Sequence, residues 1–288
     1  MKEVAIIIDS VAMIPPQVAE KYGISVMPSH VIMDGKDYLE TEIDREQVYS
    51  RLRTKENLPT TSAASPGEIL ESFKRAIQQA KAILFISLTS GLSAIYSSAI
   101  DAKELARQQL PNTAIEVLDS LTVAGAEMLI AIEAAKAANE GRSLPEVTEV
   151  ADKIKQRVAS FGLRESLFHF DRSGRTGKAK DWAKAAIPTV TALEISAASG
   201  GVVKPLLRER SVTKAIEATL NLVEERTKGG RLHAAITHTN VPDKAEELKR
   251  KLLSRFNLAD EVYIGEAMPF VAVVNGEGMW EFGFYAED

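Results

Sequence analysis

Two clusters of small hydroxyl residues carry the chemistry this chain can offer. In residues 82–100, AILFISLTSGLSAIYSSAI, an apolar run of strand length leads through Thr89, Ser90 and Gly91 into a helical pattern starting near Ser93. The first turn of a helix holds backbone N–H groups without intrahelical partners and the positive end of the helix dipole. Uncharged hydroxyls there add donors, so a carboxylate or phosphate fits such a place. A plain N-cap role explains Ser93 equally well. In residues 58–68, LPTTSAASPGE, two prolines, a glycine and several small hydroxyl residues interrupt all periodicity. Ser65, with Pro66 and Glu68 behind it, reads as the cap of the next helix, which leaves Thr60, Thr61 and Ser62 unaccounted for.

The elements that must position these clusters alternate between strand and helix. Three predicted strands, IIID, ILFISL and EVLD, each end in Ser or Asp and lead into a helix. In open α/β sheets ligands bind outside the carboxyl ends of the strands, so the three polar ends point at one crevice. Further elements follow the same logic: Pro15 and Pro16 open a helix that Gly23 closes, residues 24–33 look extended, and Asp34-Gly35 is a turn. The stretch to Glu42 is polar with no clear period, and helices are predicted from about 43 to 52, 66 onward, to 109, over 122–139 and over 144–161. The segment GLRESLFHFDRSGRTGKAKDW is predicted as a strand through Phe170, then as a basic loop with Arg172, Arg175 and Lys178 that is solvated or faces a partner. Beyond it, strands near 190–195 and 202–207 meet at Gly200-Gly201, a helix covers 213–225, a strand 232–237 and a helix 244–256. Extended segments are expected at 261–265, 270–274 and 279–285. This mixed order suggests α+β, with a domain boundary near residue 160.

Composition narrows the function classes. With 35 Lys+Arg against 40 Asp+Glu among 288 residues, and no basic block, nucleic acid is not an expected partner. The chain has no Cys, which excludes disulfides and Cys nucleophiles. Five apolar residues before Asp9 are too few for a signal-peptide core or a membrane span, so a cytoplasmic protein without stable membrane insertion is expected. His30, His169, His233 and His238 are scattered without metal-ligand spacing, and no metal or cofactor is expected. TSGLSAI lacks the second glycine of a nucleophile elbow, and no G-x-G-x-x-G follows the first strand. What remains is a pocket of neutral donors in apolar surroundings, suited to binding a carboxylate with an apolar tail.

The sequence resembles the DegV family of bacterial fatty-acid-binding proteins. The resemblance rests on IIIDS with Pro15 downstream, PTTSAASPGE at 59–68, SLTSGLSAIYSSA at 87–99, LDS at 118–120, SGR at 173–175 and KPLLRERS at 204–211. It implies an N-terminal three-layer α/β/α domain with a mainly parallel sheet, residues 1–160, and a C-terminal α+β domain with a mixed sheet, residues 161–288. It also implies a non-catalytic protein that buries a long-chain fatty acid or related acyl ligand and presents its carboxylate to a dihydroxyacetone-kinase-like fatty acid kinase. Carried over by motif, Thr61 and Ser93 would be carboxylate donors, with Ser62 and the backbone N–H of Ala94 nearby. Arg175 and Arg210 would lie at the carboxylate end or the partner surface.

The sequence departs from the family pattern at three places. The family's H-T-G-P-G corresponds to Val274, Asn275, Gly276, Glu277 and Gly278, so Val274 stands where a histidine is expected and a carboxylate would be held by neutral donors alone. Ala94-Ile95 replaces Gly-Thr, and Ser173 replaces the first glycine of Gly-Gly-Arg. Burying a ~16-carbon chain at ~0.8 kcal/mol per CH₂ yields above ~10 kcal/mol against association costs of ~4–15 kcal/mol. Losing one charged hydrogen bond costs ~1.5–3 kcal/mol, which lipid binding survives. The alternatives are a serine-dependent acyl hydrolase using the Ser- and Asp-rich strand ends, and a diverged member that binds a different small molecule or only a protein.

Overall fold

Apolar runs long enough to be covered on both faces build the first sheet. In the computed structural model, which describes residues 1–183 and 189–287, β1 (Lys2–Asp9), β2 (Ile24–Met27), β6 (Ala80–Ser87) and β7 (Ala114–Asp119) lie parallel in the order β2-β1-β6-β7. On one face Val4, Ile6, Ile8, Leu84 and Ile86 pack with α1 (Pro16–Tyr22), α5 (Ala124–Asn139) and α6 (Leu144–Arg157). On the other face Ile7, Ile83 and Phe85 pack with α3 (Pro66–Ala76) and α4 (Ile95–Gln109). This is the expected three-layer α/β/α arrangement. Its helix starts follow local chemistry: Pro16 opens α1, and Ser65 with Glu68 forms a capping box for α3.

The second sheet is mixed, as expected for the other half. β8 (Ala159–Arg164), β9 (Val190–Ser196), β10 (Lys204–Glu209), β11 (Leu232–His238), β12 (Tyr263–Glu266) and β13 (Trp280–Ala286) run in the order β10-β9-β8-β13-β11-β12, antiparallel except for β11 with β12. Helices α9 (Val212–Thr227) and α10 (Pro242–Arg255) supply Ile216, Leu220, Leu248 and Leu252 to the core against Phe161, Phe282 and Trp280.

Helix α5 joins the two sheets. Ala-rich and almost wholly buried, it contributes to a core shared with Ala235, Tyr263 and Tyr285 of the second half. A Cβ on Gly125 would sit 2.3 Å from the Ala235 carbonyl, and one on Gly283 would sit 2.0 Å from the Ala126 nitrogen. Helix and strand therefore touch backbone to backbone, which only glycines permit. Among the described residues, no helix is long and apolar enough to cross a membrane.

Several expected elements differ. β3 (His30–Met33), β4 (Lys36–Leu39) and β5 (Thr60–Ser62) form a small antiparallel sheet, so the polar stretch before Glu42 and the hydroxyl loop both contain strand. This sheet packs on α2 (Arg45–Thr54) through Val31, Met33, Val48 and Leu52. Residues 270–274, expected to be extended, belong to helix α11 (Pro269–Asn275), which is buried all round and so shows no amphipathic period. Its free N-terminal N–H at Phe270 is met from afar, donating to Glu40 Oε2 at 3.2 Å. The strand expected through Phe170 ends at Arg164, and α7 (Phe168–Arg172) follows, then the four-residue α8 (Lys180–Ala183). Helix α6 stops at Arg157 rather than continuing to Phe161, because Ala159 onward pairs with β13 and β9.

Candidate functional site

The polar ends of the parallel strands are tied together before any ligand is considered. Asp9, at the end of β1, accepts from the backbone N–H of Val11 at 3.0 Å and of Leu88 at 2.7 Å, so it clamps the turns after β1 and β6 side by side. Its burial raises the carboxyl pKa to about 7 against the pull of those two N–H donors. Asp119, at the end of β7, accepts from Ser90 and Leu121. The Thr89 hydroxyl donates to the Gly201 carbonyl at 2.7 Å and that of Thr122 to the Ile195 carbonyl at 2.9 Å, docking these turns on the second half. Thr89 thus serves the docking rather than a ligand.

Between the turns and the second sheet lies a cavity with mostly apolar walls. Val11, Leu88, Val123, Ile195, Phe270 and Met279 are among its apolar walls, and Ser93, Arg164, Arg175, Asn275 and Glu281 are its polar residues. A second cavity is lined by Thr60, Thr61, Arg172, Ser173, Val273 and by Arg175 and Val274, both shared with the first. Ser93 and Thr61 therefore stand on neighbouring cavities with one arginine common to both.

Arg175, expected at the carboxylate end or the partner surface, lines both cavities. Its Nε donates to the Leu92 carbonyl at 2.9 Å and its Nη1 to the Ser173 carbonyl at 3.3 Å. Burial lowers its pKa, and among the described residues no carboxylate lies within ion-pair distance of it. In the basic loop, expected to be solvated or to face a partner, Arg172 is exposed and its Nη2 donates to the Pro59 carbonyl of the hydroxyl loop at 2.5 Å, while Arg175 is half-buried. The side chain of Lys178 lies outside the described residues. Val274 does line the site, but a cation stands beside it, so the donors there are not all neutral.

The remaining expected residues are placed differently. Ser93 is half-buried and its Oγ accepts from the Ile95 N–H at 3.3 Å, while α4 starts at Ile95 with Ala94 as its cap residue. Ala94 is exposed and Ser62 donates to the Ala63 carbonyl at 3.4 Å; neither lines the two cavities. Arg210 is exposed at the end of β10 and lines neither. Arg164 and Glu281, which do, were missed because each looks like an ordinary strand residue. A charge interrupting the apolar runs ASFGLR and WEFGFYA was the available signal.

No histidine lines either cavity among the described residues. Glu133, His233 and Asp260 do bring metal-ligand atom types within 4.8 Å of one another. The Lys136 ammonium bonds Glu133 at 2.8 Å and Asp260 at 2.9 Å, so this cluster already holds a cation. His233 is stacked on Tyr285, with ring centroids 4.4 Å apart.

Comparison with known proteins agrees with this architecture. Residues 3–287 match the model of the DegV family, described as uncharacterised protein, DegV family. A DegV domain-containing protein of Clostridium perfringens is 28% identical over 273 residues, covering 94% of each chain. A DegV family protein from Thermus thermophilus, whose structure is described as showing fatty acid binding, superposes with a TM-score of 0.89 at 22% identity over 100% of both chains. A DegV lipid binding protein from Thermotoga maritima superposes with a TM-score of 0.86 at 25% identity over 99% of both. The family match spans almost every residue, and the chain belongs to the DegV family.

Proposed function

We propose that this protein binds a long-chain fatty acid or related acyl ligand, with the carboxylate at Arg175 between Ser93 and Thr61 and the chain in the apolar cavity. The observation that carries the reading is Arg175 itself. A half-buried guanidinium with only two carbonyls beside it is completed by an anion, and the bidentate match of guanidinium to carboxylate is a strong such pairing. The hydroxyls of Ser93 and Thr61 add uncharged donors on either side. The fatty acid and lipid binding described for the Thermus and Thermotoga proteins supports the same ligand class.

The chain binds its ligand rather than transforming it: a hydrolase serine needs a base in hydrogen-bond reach, and neither cavity has a histidine among the described residues. The second cavity, with exposed Thr60 and Arg172 on its rim, leaves the carboxylate reachable by a partner kinase that phosphorylates it. Arg210 belongs to the partner surface in this reading, and no cofactor is required.

Native mass spectrometry of protein purified gently from its expression host, followed by extraction and identification of what it carries, tests the reading. A co-purifying acyl acid supports it. A bare mass, together with no uptake of octadecanoic acid by the delipidated protein, overturns it.

A further inference from the structure

Helix α11 is a wall common to both cavities: Phe270, Val271, Val274 and Asn275 line the first, and Val273 and Val274 the second. Its own sequence does not cap its start. Pro269 has no N–H, and Met268 before it has no side-chain oxygen for the first turn. The next N–H, that of Phe270, is buried there, and its acceptor is Glu40, 230 positions away in the chain.

Glu40 is 1% exposed, and its carboxylate gathers donors from three parts of the fold. Oε1 accepts from the Ser10 hydroxyl, in the turn after β1, and from the Ser29 N–H at 2.7 Å, just before β3. Oε2 accepts from the Phe270 N–H at 3.2 Å. The Glu40 backbone N–H donates to the Ser29 carbonyl at 2.9 Å, so the residue is itself anchored beside the small sheet. That sheet carries Thr61, which lies opposite Val31 of β3, and the turn after β1 carries Val11 and Met13 into the first cavity. One carboxylate therefore ties α11 to elements that line each cavity. At its far end the helix is held by Arg164, which donates to Asn275 Oδ1 from Nε at 3.2 Å and from Nη2 at 2.8 Å.

We propose that Glu40 is a positioning residue for ligand binding: it sets where α11 stands, and so the wall on which the acyl chain packs, without touching the ligand. The proposal rests on the acyl-binding reading above and adds to it a residue that lines neither cavity yet controls affinity. A glutamine at this position has one acceptor oxygen and two N–H donors. It can answer the Ser10 and Ser29 donors or the Phe270 N–H, and whichever is left over stays buried without an acceptor. A displaced wall costs the chain its contacts whatever the head group, so an acid and an alcohol of equal length lose alike. That separates Glu40 from Arg175, whose removal is felt by the acid alone.

The test is binding of octadecanoic acid and of octadecanol to the delipidated full-length chain, read by native mass spectrometry at a temperature where circular dichroism shows the variant folded. Glu40→Gln is expected to weaken both ligands by about tenfold, as for the loss of a hydrogen bond to a charged group. A folded Glu40→Gln protein that binds both as tightly as the unmodified one overturns the proposal, as does a weakening confined to the acid. The unmodified protein supplies a second measurement that needs no variant. Linkage is reciprocal, so each ligand is expected to slow hydrogen exchange at the Phe270 amide, and exchange that ligand leaves unchanged also overturns the proposal. If neither ligand binds the unmodified protein, the acyl-binding reading itself falls, an outcome distinct from binding that ignores Glu40.

Discussion

Arg175 and Arg164 line the same cavity, and burial lowers the pKa of both, yet they are held in opposite ways. Arg164 has Glu281 and Asn275 as fixed partners, so its charge is answered inside the fold. Arg175 has two backbone carbonyls and no carboxylate among the described residues. In the proposed reading one pocket keeps one cation as structure and leaves the other for an incoming anion. A buried charge without a counter-ion favours a ligand that brings the opposite sign.

The comparison breaks most sharply at Glu281. Glu281→Met leaves Arg164 buried without its counter-ion and is expected to destabilise the fold by about 3–5 kcal/mol in chemical denaturation, while the double variant with Arg164→Met is close to neutral. Similar losses in the single and double variants would show that the pair is not a compensated unit. At the other arginine the stability cost is small and the ligand cost is large. Arg175→Met should weaken acyl-acid binding by about 1.5–3 kcal/mol, tenfold or more in Kd, with little change in a fatty alcohol of equal length. Equal weakening for acid and alcohol would remove the carboxylate from Arg175.

Glu127 extends the contrast to a carboxyl. Fully buried near Asp9 and Asp119, with neither oxygen hydrogen-bonded, it has a pKa raised well above 4.5 by burial first and by those two acids second. Where an arginine must keep its charge, this group holds its proton. Its folded-state pKa, like the value near 7 at Asp9, exceeds the unfolded one, so the folded state binds more protons. The stability contribution is full below about pH 4 and is lost as pH rises through the folded-state pKa. Glu127→Met should therefore stabilise the protein by about 1–2 kcal/mol at pH 8 and flatten the decline between pH 5 and 8 seen in thermal melts. A gain that does not vary with pH would mean that the folded-state pKa of Glu127 is not raised. Smallest are the neutral donors: Ser93→Ala and Thr61→Val should each cost about 0.5–1.5 kcal/mol in acyl-acid affinity, and unchanged affinity in both would take the hydroxyls out of the site.

Local chemistry made much of this legible from the residues alone. Apolar strands ending in Asp9, Ser87 and Asp119 announce a parallel sheet with a polar crest, Pro16 and Ser65 announce helix starts, and Thr61 and Ser93 do line neighbouring cavities. These signals act within a few residues of one another, so they survive without the fold. Helix α11 and strand β5 were not legible, the first because complete burial erases its period, the second because Thr60–Ser62 becomes strand only by pairing with β3.

The charges show the same division more strongly. A basic loop containing Arg172 and Arg175 reads as solvated or partner-facing, and tertiary packing leaves Arg172 exposed on the Pro59 carbonyl while it half-buries Arg175 on the Leu92 carbonyl. Arg164 and Glu281 are 117 positions apart and become a pair only because β13 lies beside β8. The sequence by itself determined the sheet, the helix caps and the hydroxyl clusters, because propensity, capping and alternation are local. Only the tertiary structure decided which arginine is answered and which is open, because electrostatic compensation depends on distance in space and on the water removed by the rest of the chain.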